Sequence, residues 1–132
     1  MSAKVLIIED NPANLELMTY LLRAFGHHTL SACDGEAGLE AARSQSVDLI
    51  VCDIQIPKIN GFEVAKRLKS DPMLRKIPLV AVTAFAMVGD RDKVMAAGFD
   101  GYIAKPIVPE RFVRQLEAFL PSAAQAATSE IR

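Results

Sequence analysis

A few residues of this chain have the types to do chemistry together, and each stands at the end of a short apolar run. Glu9 and Asp10 follow Val5-Leu6-Ile7-Ile8, and Asp53 follows Leu49-Ile50-Val51-Cys52. Thr83 closes Leu79-Val80-Ala81-Val82, and Lys105 follows Tyr102-Ile103-Ala104. One acid after one strand is most simply read as solvation of a strand end. Polar ends on four strands of the same handed repeat argue for a site, because open α/β sheets gather their ligands at the carboxyl ends of their strands. The chemistry that this set suits is capture of a phosphoryl group on a carboxylate. Asp53 would attack phosphorus, provided that charge on the phosphoryl oxygens is neutralised. Mg2+ (or Mn2+) suits such oxygen donors, with Asp10 and Asp53 as carboxylate ligands, Gln55 offering its backbone carbonyl and Glu9 holding a water on the metal. Lys105 brings a compact positive charge to one phosphoryl oxygen, and Thr83 a hydroxyl donor to another. Without metal the three carboxylates share a crevice and repel, so coupled titration is expected.

The elements that must position these residues alternate between strand and helix. Val5-Leu6-Ile7-Ile8 reads as a strand buried on both faces. Asn11 caps a helix with Pro12 in its first turn, and Leu15, Met18, Leu21, Leu22 and Phe25 form its apolar face before Gly26 stops it. His28 to Cys33 form a second strand, and Asp34 caps an Ala-rich helix that carries Leu39 and ends near Ser44. Leu49 to Cys52 is the central strand, after which Pro57 and Asn60-Gly61 impose a loop. Phe62, Ala65 and Leu68 mark a third helix, broken at Asp71-Pro72. Pro78 opens the fourth strand, and a helix near Asp90 to Ala97 ends before Gly98. Tyr102 to Ala104 make a short fifth strand. The fifth helix has Pro109 in its first turn and places Phe112, Val113, Leu116, Phe119 and Leu120 on one face. Five strand–helix units of this kind predict an α/β fold, a (βα)5 doubly wound five-stranded parallel sheet covered on both faces. The domain is expected over 1–120, with 121–132 a flexible tail.

Composition sets outer bounds. The chain has 132 residues, 51% hydrophobic and 23% charged, enough for one globular core. A net charge of −1 offers no electrostatic footprint for nucleic acid or an anionic membrane. No apolar run reaches the roughly 20 residues that span a bilayer. The amino terminus does not read as a signal peptide, because acids break its apolar run. A cytoplasmic domain is expected, with Cys33 and Cys52 as reduced core cysteines.

With these residues in place, the chain resembles the receiver domain of two-component response regulators, the CheY-like fold, over residues 4 to 120. The acid pair Glu9-Asp10, Asp53 as phosphoacceptor, Thr83-Ala84 as switch, Tyr102 as switch aromatic and Lys105-Pro106 all match the family's motif. The strand order 2-1-3-4-5 is taken from this resemblance, as is a cis Lys105-Pro106 bond. Ile56 and Ile107 stand where the family often has Met and Phe, both apolar replacements. Asp10-Asn11-Pro12 and Val82 to Met87 look most like the DivK-type single-domain regulators and the receivers of hybrid kinases. The resemblance implies a histidine kinase or histidine phosphotransfer protein as donor. It implies self-catalysed phosphorylation and dephosphorylation rather than turnover of a separate substrate. Output would be protein–protein contact on the face of the fourth helix, fifth strand and fifth helix, from a monomer or weak dimer.

Other classes lack residues that they need. A haloacid-dehalogenase-type phosphatase requires a second Asp two positions after the nucleophile, where Gln55 stands. A nucleotide-binding module requires a glycine-rich turn after the first strand, and residues 9–14 contain no glycine. His27-His28 are expected as surface histidines, since strand neighbours face opposite ways. Lys58 is expected as a solvated loop lysine. For Phe85-Ala86-Met87 two readings stay open, packing on the sheet or part of a partner surface.

Overall fold

Continuous apolar runs with polar ends produce the expected sheet. The computed structural model describes residues 2–84 and 87–120. Strands β1 (Lys4–Ile8), β2 (His28–Ala32), β3 (Leu49–Cys52), β4 (Leu79–Thr83) and β5 (Gly101–Ala104) alternate with helices α1 (Pro12–Ala24), α2 (Gly35–Ser44), α3 (Gly61–Ser70), α4 (Asp90–Ala96) and α5 (Pro109–Glu117). All pairings are parallel, in the order β2-β1-β3-β4-β5.

Period-two alternation within the strands feeds two separate cores. Leu6, Ile8, Ile50, Cys52, Leu79 and Ala81 face one layer, where Leu39, Val64, Leu68 and Val94 of α2, α3 and α4 close over them. Val5, Ile7, Leu49, Val51, Val80 and Val82 face the other, under Met18, Leu22, Phe112, Val113 and Leu116 of α1 and α5. This is why the strands read as unbroken apolar runs: each face has its own cover. Three helix starts are capped as expected from their residue types. Asn11, Asp34 and Asn60 accept from the backbone N–H of Asn14, Ala37 and Glu63 at 3.0, 2.7 and 3.0 Å.

Three sequence expectations are corrected. Phe25 does not extend the apolar face of α1; it caps the helix and is 52% exposed. His27 is not at the surface but 4% exposed. Both follow from one turn, in which Gly26 takes φ +88° while its N–H bonds to the Arg23 carbonyl and the His27 N–H to that of Leu22. That turn throws Phe25 outward and His27 inward. Cys33 is exposed, because β2 ends at Ala32 and is an edge strand; Cys52 is buried as expected. Phe85 and Ala86, and the expected tail over 121–132, lie outside the described residues.

Candidate functional site

The parallel register brings the polar strand ends to one edge. The Asp53 N–H donates to the Ile8 carbonyl and the Glu9 N–H to that of Ala32, so both acids leave the sheet directly above the paired strands. The Lys105 N–H donates to the Thr83 carbonyl at 2.9 Å and fixes β5's exit beside β4's. The Lys105–Pro106 bond is cis. On the other side, Gly61 lets α3 start hard against the strand end. A Cβ there would stand 2.7 Å from the Asp53 carbonyl oxygen and from the Ile54 Cα, so only glycine fits without backbone movement. Lys58 shapes the same loop with φ +70° and lies 3.7 Å from Asp34, solvated as expected.

At the crevice floor, Glu9 and Asp53 are almost wholly buried, with 1% and 7% of their surface exposed, while Asp10 is exposed. The Lys105 ammonium lies between the buried pair, 2.8 Å from Asp53 Oδ2 and 2.7 Å from Glu9 Oε1. Asp53 Oδ1 accepts from the Gln55 N–H at 3.2 Å, and Glu9 Oε2 from the Asn11 N–H at 3.1 Å. Lys105 therefore serves both buried acids at once, so one ammonium stands against three carboxylates. Burial works to lower the Lys105 pKa, but hydrogen bonds and charge from Asp53 and Glu9 outweigh it and hold the ammonium above its usual range. The Cys52 thiol is pushed far up, first by burial and then by the charges of Asp53 and Glu9, and stays protonated.

Oxygens of Glu9, Asp10 and Asp53 all lie within 4.8 Å of one another. Hard carboxylate donors at this spacing fit a small divalent cation. Thr83 is fully buried at the end of β4, and Tyr102 is half-buried on β5. The residues singled out in the sequence therefore meet at one edge.

Two contacts around the site have no local signature, and a third, local one was missed. Lys105 bridges Glu9 as well as Asp53. The buried Asp90 accepts from the Met87 N–H and closes the turn before α4. Arg91 lies over the Tyr102 ring, with its Cζ 5.8 Å from the centroid. Asp90 three residues after Met87 is a turn-closing signal in itself, and aligning the first turn of α4 over β5 is the signal that could have paired Arg91 with Tyr102.

A five-stranded parallel sheet with an acid-lined carboxyl edge and a lysine across it is a doubly wound α/β domain with its candidate site at the strand ends. The response regulator receiver domain family matches residues 5–117, and the chain belongs to it: it is a receiver domain of two-component signalling. Among curated relatives, the polar-differentiation response regulator DivK of Brucella ovis is 43% identical over 123 residues, covering 93% of this chain and 100% of the relative. Among solved structures, the chemotaxis response regulator CheY4 of Vibrio cholerae superposes with a TM-score of 0.85 at 26% identity, covering 91% of this chain and 100% of that one. The receiver domain of a Pseudomonas aeruginosa sensor histidine kinase, with a magnesium ion coordinated in its active site cleft, gives a TM-score of 0.83 at 29% identity, covering 90% of this chain and 98% of that one. Among the described residues no helix is long and apolar enough to cross a membrane.

Proposed function

We propose that Asp53 is the phosphoacceptor, taking a phosphoryl group from a phosphohistidine of a histidine kinase or histidine phosphotransfer protein. The observation that carries this reading is the Lys105 ammonium 2.8 Å from Asp53 Oδ2, on a buried carboxylate with Glu9 and Asp10 beside it. An Asp53 oxygen forms the new P–O bond as the P–N bond to histidine breaks, and the imidazole leaves with its electron pair. Asp10, Asp53, the Gln55 carbonyl and Glu9 through a water would hold Mg2+ (or Mn2+). The metal supplies neutralisation of phosphoryl charge when bound. Lys105 pairs with one phosphoryl oxygen, a contact for which it is already positioned and charged. Thr83 donates its hydroxyl to another, a bond strengthened by the charge of the acceptor. Later attack of water on the acyl phosphate releases inorganic phosphate and restores the carboxylate. The domain therefore catalyses its own loading and unloading, not the turnover of a separate substrate.

As Thr83 moves toward the phosphoryl group, space opens behind it, and the Tyr102 ring moves from its half-buried position into that space. The face of α4, β5 and α5 changes shape, and a downstream protein reads it, with Met87 exposed at its edge. The acting form is a monomer or weak dimer in the cytoplasm, with no role for nucleic acid or membrane. The test is labelling by acetyl phosphate and Mg2+, followed by mass spectrometry. The parent should gain one phosphoryl group, and Asp53→Asn should fold and gain none. Equal labelling of Asp53→Asn would overturn the assignment.

A further inference from the structure

Arg91 stands in the first turn of α4, exposed, with its guanidinium over the Tyr102 ring. A cation within about 6 Å of an aromatic centroid is attracted by the ring's quadrupole. No carboxylate lies within ion-pair distance of Arg91 among the described residues, so the charged group rests on the ring alone. The turn beneath it is closed by hydrogen bonds. Gly89 takes φ +89°, the Asp90 N–H donates to the Met87 carbonyl at 2.9 Å, and the buried Asp90 carboxylate accepts from the Met87 N–H. Tyr102 in turn lies opposite Ala81 in the β4–β5 register and packs against the core beneath α2, α3 and α4.

The geometry points to Arg91 as a positioning residue that holds the Tyr102 ring in its half-buried position and so sets how readily the chain switches. This rests on the reading of Asp53 as phosphoacceptor and of Tyr102 as the moving aromatic. When the ring moves inward, an exposed guanidinium cannot follow it, because burying an unpaired cation is costly. The contact is therefore made in one arrangement and lost in the other. A contact with that difference shifts the equilibrium, and by linkage weakens whatever ligand at Asp53 favours the inward form.

The chain has two tyrosines and no tryptophan, which gives a direct readout. In a Tyr20→Phe background all tyrosine emission comes from Tyr102. Beryllofluoride with Mg2+, a phosphoryl mimic, would be titrated into this parent, Arg91→Ala and Arg91→Lys, with acrylamide quenching before and after. Arg91→Ala should bind beryllofluoride about 2- to 5-fold tighter, as expected for one exposed cation–π contact. Its Tyr102 should already be less accessible to acrylamide before addition, and Arg91→Lys should return both values most of the way. Unchanged or weaker binding by Arg91→Ala, with quenching equal to the parent's, overturns the inference. An Asp53→Asn control separates the two layers. If the parent responds and Asp53→Asn does not, an unaltered Arg91→Ala sinks the role of Arg91 alone. A response that survives Asp53→Asn sinks the phosphoacceptor reading, and the role of Arg91 with it.

Discussion

The two edges of the sheet handle polar side chains in opposite ways. At the amino edge three of them serve backbone groups at strand starts. His27 Nδ1 accepts from the Ala3 N–H at 3.0 Å, Asp48 from the Lys4 N–H at 2.8 Å, and Asp100 from the Leu79 N–H at 2.8 Å. For His27 and Asp100 a second partner is also present. With its proton on Nε2, His27 donates to Glu117 Oε2 at 2.8 Å, and Lys69 ties Asp100 to the Arg75 and Ile77 carbonyls. At the carboxyl edge three acids face each other with a single lysine between two of them, an excess of negative charge. Buried polar groups stabilise a fold when matched and are costly when not. An edge whose polar groups serve the backbone is architecture, and one with three acids against a single lysine is a place for a cation.

The contrast is broken most sharply by exchanging the lesions. Asp53→Asn should lose all phosphoryl uptake yet stay folded. His27→Ala should lose about 2 kcal/mol of stability, because the Ala3 N–H is left without its acceptor, yet keep normal uptake at temperatures where it is folded. Urea denaturation beside acetyl phosphate labelling checks both. Loss of uptake in His27→Ala would mean that the two edges are not separable.

Next in size is the response to metal. A cation that binds only the folded crevice should stabilise the protein by about 2.7 kcal/mol at a hundredfold excess over its dissociation constant. Melting curves with Mg2+ and with a chelator read this, and His27→Ala should show the same increment as the parent. A transition indifferent to Mg2+ would leave the carboxyl edge without its ligand.

The smallest effect sharpens the account of the acids. From charge crowding alone, either Asp10→Asn or Asp53→Asn is expected to stabilise the metal-free protein. The structure separates them, since Asp53 is paired with Lys105 and Asp10 is exposed with no ion pair among the described residues. Asp10→Asn should therefore raise the metal-free melting temperature slightly, and Asp53→Asn less, while Asp10→Asn also shrinks the Mg2+ increment. Destabilisation by Asp10→Asn would show that repulsion among the acids is too weak to set the stability of the crevice.

Much of the architecture was legible in the residues because its causes are local. Val5 to Ile8 and Leu49 to Cys52 are apolar throughout, since strands covered on both faces admit no polar position. Asn11, Asp34 and Asn60 stand where helix starts need an acceptor. Glu9, Asp10, Asp53, Thr83 and Lys105 were visible as a set, because a parallel sheet sends all its strand ends to one edge. What no window of sequence carries is which distant groups meet. Lys105 reaches Asp53 across 52 positions and His27 reaches Glu117 across 90, and neither pairing exists until crossovers and register are settled. The exposure of Cys33, the inward turn of His27 and the placing of Arg91 over Tyr102 are of the same kind. Propensity and capping act over a few residues, whereas burial and partnership belong to the packed layers, and only those layers decided them.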